Sequence, residues 1–121
     1  MELTKTISVG TTAKTDYLPV PVPGRVRGFR ATWNTAVASD DTLSLKKGAN
    51  EVNALTVGTD YTAAGSVVCG TPDSNNKNLS FDPEGATEDK VIQVDVSALV
   101  SAGTLVTIVI DYDEFNIPVR G

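Results

Sequence analysis

The sequence predicts an all-β protein: a single-domain antiparallel β-sandwich, jelly-roll-like, with seven to nine short strands in 121 residues. Three observations lead there. Apolar residues recur at every second position through most of the chain, which is the period of a half-buried strand. No window of a dozen residues carries the three-and-four spacing of an amphipathic helix. Glycine, proline and Asn/Asp-rich turns break the alternation at short intervals, leaving room for short strands and little else. A chain of this length can bury a core without disulfides or metals, so residues 1–121 are read as one domain. Within it, 1–23 is expected to be an extended arm or edge strand and 116–121 a C-terminal tail.

The first strand is expected over 4–9, where Ile7 and Val9 share a face. The stretch YLPVPVPG at 17–24 follows, with prolines at 19, 21 and 23. In an extended chain successive N–H groups point to alternate edges. Pro19, Pro21 and Pro23 would therefore delete every donor on one edge, while Leu18, Val20 and Val22 point apolar side chains one way. Three uses fit this pattern: a strand that pairs on one side only, a stiff arm that docks on a partner, or a free linker. A polyproline ligand would space its prolines three apart.

Over 29–34, Phe29, Ala31 and Trp33 share one face and Arg30, Thr32 and Asn34 the other. Val26 falls out of step with Phe29, so either a glycine bulge at Gly28 or a strand break resets the register. After a polar turn at 39–41, Leu43 and Leu45 define another one-sided strand, and Leu55 and Val57 a further one beyond the turn at 48–50. Short strands fit 66–69 and 79–81, and Ile92, Val94 and Val96 point inward from 90–96. Residues 97–103 make one helical turn or a bend. The closing strand, 104–112, is apolar on both sides: Leu105 and Val109 on one, Val106, Ile108 and Ile110 on the other. Such a strand is expected to be central and covered on both faces.

Composition narrows the chemistry. The chain has no histidine, which removes Ser-His-Asp and Cys-His catalysis and imidazole metal sites. The acids Asp111 and Asp113 share a strand face and could serve glycoside hydrolysis or hold a hard cation. The plainer expectation is that the strand leaves the core at Ile110 and that these acids stop further pairing. The run from Asp73 to Glu84 follows the start of a calcium loop but puts Lys77 at a ligand position and Asn78 where glycine is required. No catalytic residue, metal site or cofactor is therefore expected. Cys69, alone, is expected to be a small apolar packing residue. A net charge of −5 opposes nucleic-acid binding, and no apolar run approaches the ~20 residues of a membrane span. The N-terminus lacks the apolar core of a secretory signal. Arg25, Arg27 and Arg30, with Lys46 and Lys47 on a neighbouring strand, form a basic group that either faces an acidic partner or is an ordinary solvated face.

The hairpin FRATWNTAVASDDTLSLKKG at 29–48, the run NALTVGTDYTAAG at 53–65 and the closing VTIVIDYDEF at 106–115 resemble the small all-β decoration, or cement, proteins of tailed-bacteriophage capsids. The resemblance implies a non-enzymatic virion protein, made in the bacterial host cytoplasm. It would sit on the outer capsid surface, often as a homotrimer, and clamp adjacent capsomers by binding the major capsid protein. No functional residue carries over individually. From the pattern of the chain itself, the expected partner contacts are Pro19, Pro21, Pro23, Arg25, Arg27, Arg30, Ile117 and Arg120. A carbohydrate- or receptor-binding module of a virion fibre is the competing expectation, with Trp33, Tyr61 and Tyr112 as sugar platforms. Trp33 alternates with Phe29 and Ala31, however, which points it to the core. A small carboxylate enzyme would need Asp111 or Asp113 to converge with another acid in a cleft.

Overall fold

Side chains that alternate between apolar and polar need a second layer to bury the apolar face, and here two sheets serve each other. The computed structural model describes residues 1–48, 50–70, 80–99 and 103–114. Nine strands fall within them: β1 (Glu2–Val9), β2 (Lys14–Pro19), β3 (Gly24–Trp33), β4 (Thr42–Lys47), β5 (Asn50–Thr56), β6 (Val67–Gly70), β7 (Ser80–Phe81), β8 (Val91–Val96) and β9 (Thr104–Glu114). The only helical pieces among the described residues are 3-10 turns at Thr59–Tyr61 and Thr87–Asp89.

One antiparallel sheet runs β1-β9-β3-β6, with β7 also pairing to β3, and the other runs β2-β8-β4-β5. The pairs β1–β9, β2–β8, β3–β6 and β4–β5 are nested one inside the next, so the chain is a long hairpin rolled over itself. The β3–β9 and β4–β8 ladders then join the outer and inner pairs within each sheet. This is the jelly-roll order, with the two-residue β7 as an addition.

The inward residues are those the alternation indicated. Ile7, Val9, Ala31, Trp33, Leu43, Leu45, Leu55, Val57, Ile92, Val94 and Val96 are all buried, as are Val106, Ile108 and Ile110. Phe81 and Tyr112 complete the core with the largest side chains after Trp33. Val26 and Phe29 are both buried, although three residues apart they would point oppositely in a regular strand. The register with β9 shifts between Val26, opposite Tyr112, and Gly28, opposite Asp111. Arg27 is the extra residue, so a bulge and not a strand break brings Val26 back to the core face.

Several expectations are corrected. Only Pro19 lies in a strand, at the end of β2; Pro21 and Pro23 belong to the crossover that carries the chain from β2 in one sheet to β3 in the other. The crossover still alternates, because Val20 is buried and Leu18 and Val22 pack against the core. The edge argument survives for β2 itself. Val20 N–H donates to Lys90 O at 2.9 Å, which assigns the even residues to β8 and turns the N–H of Tyr17 and the missing one of Pro19 to the free edge. Asp16 Oδ1 accepts the Tyr17 N–H at 2.8 Å, so two consecutive edge positions present no donor to a passing strand. Lys5 on β1 points between the sheets and meets Asp16 at 3.7 Å, an inward charge of the kind that discourages edge pairing.

β9 is central in its ladder, between β1 and β3, but among the described residues only its inner face is covered: Leu105 remains 44% exposed. Nor does the strand leave the core at Ile110. It runs to Glu114, with Tyr112 buried and Asp113 paired to Arg25 in the β3 register. The polar turn at 39–41 is present, and its Asp41 is buried and accepts the Ala38 N–H at 2.8 Å. Cys69 is exposed on β6 and is not one of the buried core residues. Residues 97–99 and 103 carry no helix, while 100–102 and the 71–79 segment of the calcium-loop comparison lie outside the described residues.

Candidate interaction surfaces

The outer face of the five-stranded sheet is built from the positions that alternate with the core. β9 contributes Leu105, Thr107 and Val109, β3 contributes Thr32 and Arg30, and β6 contributes Val67 and Cys69. Val67 is 49% exposed, and a shallow hollow of about 60 Å3 lies between Thr32, Val67, Thr107 and Val109. Thr6 on β1 approaches Thr107 hydroxyl to hydroxyl at 3.5 Å. Short β-branched side chains therefore make this face level, and its apolar members lack any covering layer among the described residues.

Charges frame one end of that face, and the three arginines there are each answered by an acid. Arg30 donates to Glu2 Oε2 at 2.9 Å, and this hydrogen bond raises its pKa further above the usual guanidinium value. Arg25 and Arg27 both lie 3.8 Å from Asp113 Oδ2. Asp111 stands opposite Glu2 in the β1–β9 ladder, but the Glu2 carboxylate is held by Arg30, and both groups lie on an open face. Lys46 and Lys47 are not neighbours of the arginines, because β4 belongs to the other sheet. Lys46 pairs with Asp95 at 2.7 Å and Lys47 with Asp89 at 2.8 Å. The expected basic group is thus split between two faces and neutralised on each. Pro19 and Pro21 are exposed, Pro23 is half-buried, and Ile117 and Arg120 lie outside the described residues.

A groove of about 450 Å3 lies on the outer face of the four-stranded sheet, a size within the usual range of ligand clefts. Its floor is Val91 and Gln93 of β8, Tyr17 of β2 forms one side, and residues 86–88 with Gly48 form the other. Tyr17 pairs with Gln93 in the β2–β8 register and is 53% exposed. Gly48 has φ +59 in the turn after β4, and a Cβ there would meet Glu88 Oε2 at 2.7 Å; glycine provides both the turn and room for that carboxylate. Among the described residues Glu88 forms no ion pair. Beside the groove, burial pushes the Asp95 carboxyl upward, but hydrogen bonds from Lys46, Gln93 and Thr15 hold it below the usual carboxylate value. Nothing in the sequence pointed to this groove, since its two sides come from distant segments that only the rolled topology brings together.

Of the sugar platforms, Trp33 and Tyr112 are each 1% exposed and unavailable, while Tyr61 is exposed. Tyr112 instead ties three segments together. Its hydroxyl donates to Val22 O at 2.7 Å, its N–H to Met1 O at 2.8 Å, and its own carbonyl accepts from the Met1 ammonium at 2.9 Å. Burial, aided by the Asp82 carboxylate, pushes the phenol up to about 12. The folded chain then holds a proton that the unfolded chain releases near pH 10, so stability is intact below about pH 10 and falls as pH climbs toward 12. In a spectrophotometric titration one of the three tyrosines should ionise together with alkaline unfolding. Tyr112→Phe should move that unfolding to higher pH, while at neutral pH it should lose about 1 kcal/mol with the Val22 hydrogen bond.

No protein-family description matches this chain, and no curated protein matches its sequence.

Proposed function

We propose that this is a non-enzymatic virion structural protein that binds the outer surface of a tailed-bacteriophage capsid and stabilises contacts between capsomers. Its partner is the major capsid protein, and it acts as a homo-oligomer, with a trimer favoured. The observation that carries this reading is the outer sheet face on which Val67 and Leu105 are exposed and Val109 half-buried, interleaved with Thr32 and Thr107 and without cover among the described residues. A face of this kind attaches by shape and burial, and three modest attachments from one oligomer combine into tight binding. The guarded β2 edge suits a protein packed at high local density, where an open strand would recruit neighbours. The resemblance of 29–48, 53–65 and 106–115 to capsid decoration proteins supports the same reading. Burial of Trp33 and Tyr112 counts against the sugar-binding alternative.

The test is co-sedimentation with capsids of the encoding virus prepared without the protein. Saturable pelleting is expected, and Leu105→Asp, at an exposed position that leaves the core intact, should weaken it at least tenfold. A protein that stays in the supernatant, or a Leu105→Asp variant that pellets unchanged, overturns the proposal.

A further inference from the structure

The residues that line the groove on the four-stranded sheet carry a single charge, the carboxylate of Glu88. The Glu88 side chain lies over Gly48, close enough that a Cβ there would meet its Oε2 at 2.7 Å and its Cβ at 3.3 Å. Among the described residues it forms no ion pair. The lysine that ends β4 does not answer it, because Lys47 is held by Asp89 at 2.8 Å. On the groove floor, Gln93 Nε2 donates to Asp95 Oδ1 at 3.1 Å. A carboxylate only accepts, so this contact assigns the amide's orientation and leaves Oε1, on the side away from Asp95, as the acceptor. Asp95 is itself fixed by Thr15 at 2.9 Å and Lys46 at 2.7 Å, so the amide is held in place before any ligand arrives.

These groups define what fits. With a carboxylate and an amide oxygen as acceptors and no cationic side chain in the lining, the groove repels anions. Val91 gives it an apolar floor, and the Tyr17 ring, 53% exposed, offers a face on which a planar cation stacks. An arginine side chain has every matching part: an apolar stem, a flat guanidinium that stacks on an aromatic ring, and five N–H donors for a carboxylate and a carbonyl. We propose that the groove binds an arginine side chain presented by a partner polypeptide, with the guanidinium between Tyr17 and Glu88 and the stem over Val91. The net charge of −5 draws basic segments toward the protein at long range. The site is separate from the Val67–Leu105 face, which belongs to the other sheet, so it stands whether or not capsid attachment does.

Titration of the full chain with Nα-acetyl-arginine amide, followed by NMR, tests this. Saturable shifts confined to the signals of Tyr17, Thr87, Glu88, Val91 and Gln93 are expected, with a Kd of about 1–10 mM for so small a probe. The citrulline counterpart keeps the stem and the flat head but has no charge, and it should bind about tenfold more weakly. Glu88→Gln should weaken the arginine probe by a similar factor, and Tyr17→Ala should weaken the arginine and citrulline probes alike. Both residues are exposed, so these variants leave the core intact, and unchanged signals from buried residues such as Ile92 check that the fold is kept. Equal binding of the arginine and citrulline probes, stronger shifts with a methyl pyranoside, which would make the occupant a neutral sugar, or no saturable shift at the groove each overturn the proposal.

Discussion

Replacing Trp33 by alanine is expected to cost about 3–5 kcal/mol of folding stability, a large share of the about 5–15 kcal/mol of a typical domain. Trp33 is the largest fully buried side chain and closes β3 opposite Val106 of β9. Its removal leaves a hole beside β3 and β9, each held by ladders on both sides, so these walls resist collapsing to fill it. Trp33→Phe separates size from polarity at the same site. The Trp33 indole N–H has no acceptor among the described residues, and an unmet buried donor costs about 1–3 kcal/mol. Phenylalanine loses contact area but also removes that donor, so it should cost far less than alanine. Urea denaturation followed by circular dichroism measures both; equal losses would contradict this account of the site.

Gly24→Ala should be nearly as damaging despite adding one methyl group. A Cβ at Gly24 would run into the backbone carbonyl of Asp113 and lie 2.7 Å from the Tyr112 ring. Overpacking costs about 1–3 kcal/mol where side chains can shift. Here the obstacle is backbone of the neighbouring strand, and the ring is fixed by its bond to Val22 O at 2.7 Å, so the upper end of that range is expected. The same denaturation experiment should show a loss approaching 3 kcal/mol, with the far-ultraviolet spectrum kept at low denaturant. A neutral substitution would mean that β3 and β9 separate more easily at this end than their register implies.

Much of the architecture was legible because alternation encodes it directly. Ile92, Val94 and Val96 point inward as their spacing demands, and the mismatch between Val26 and Phe29 marked a change of register near Gly28, which the β3–β9 ladder shows to be a bulge and not a break. Errors arose where one local pattern permits two environments. The two-sided apolar pattern of β9 indicated a central strand correctly, but it could not say whether the second layer belongs to this chain. Among the described residues nothing covers that face, and Leu105 stays 44% exposed. Pro19, Pro21 and Pro23 look equivalent in sequence, yet only tertiary context ends β2 at Pro19 and sends the others across the sandwich. Asp113 was read as a strand terminator because charge ends burial; two arginines across the ladder make it a pairing residue instead. Charge pattern alone placed Lys46 and Lys47 beside the arginines, which the separation of β3 and β4 into different sheets rules out. The groove was invisible, since Tyr17 and Glu88 meet only through the jelly-roll topology.

Hydrogen exchange of the protein free and bound to capsids tests the central claim most directly, because it locates the attached face without any substitution. Slowed exchange is predicted in β6 around Val67 and in β9 and β1 around Leu105 and Thr6, with the β2 and β8 amides unchanged. Protection confined to β2, β8 and residues 86–88, or no difference between free and bound protein, would contradict it.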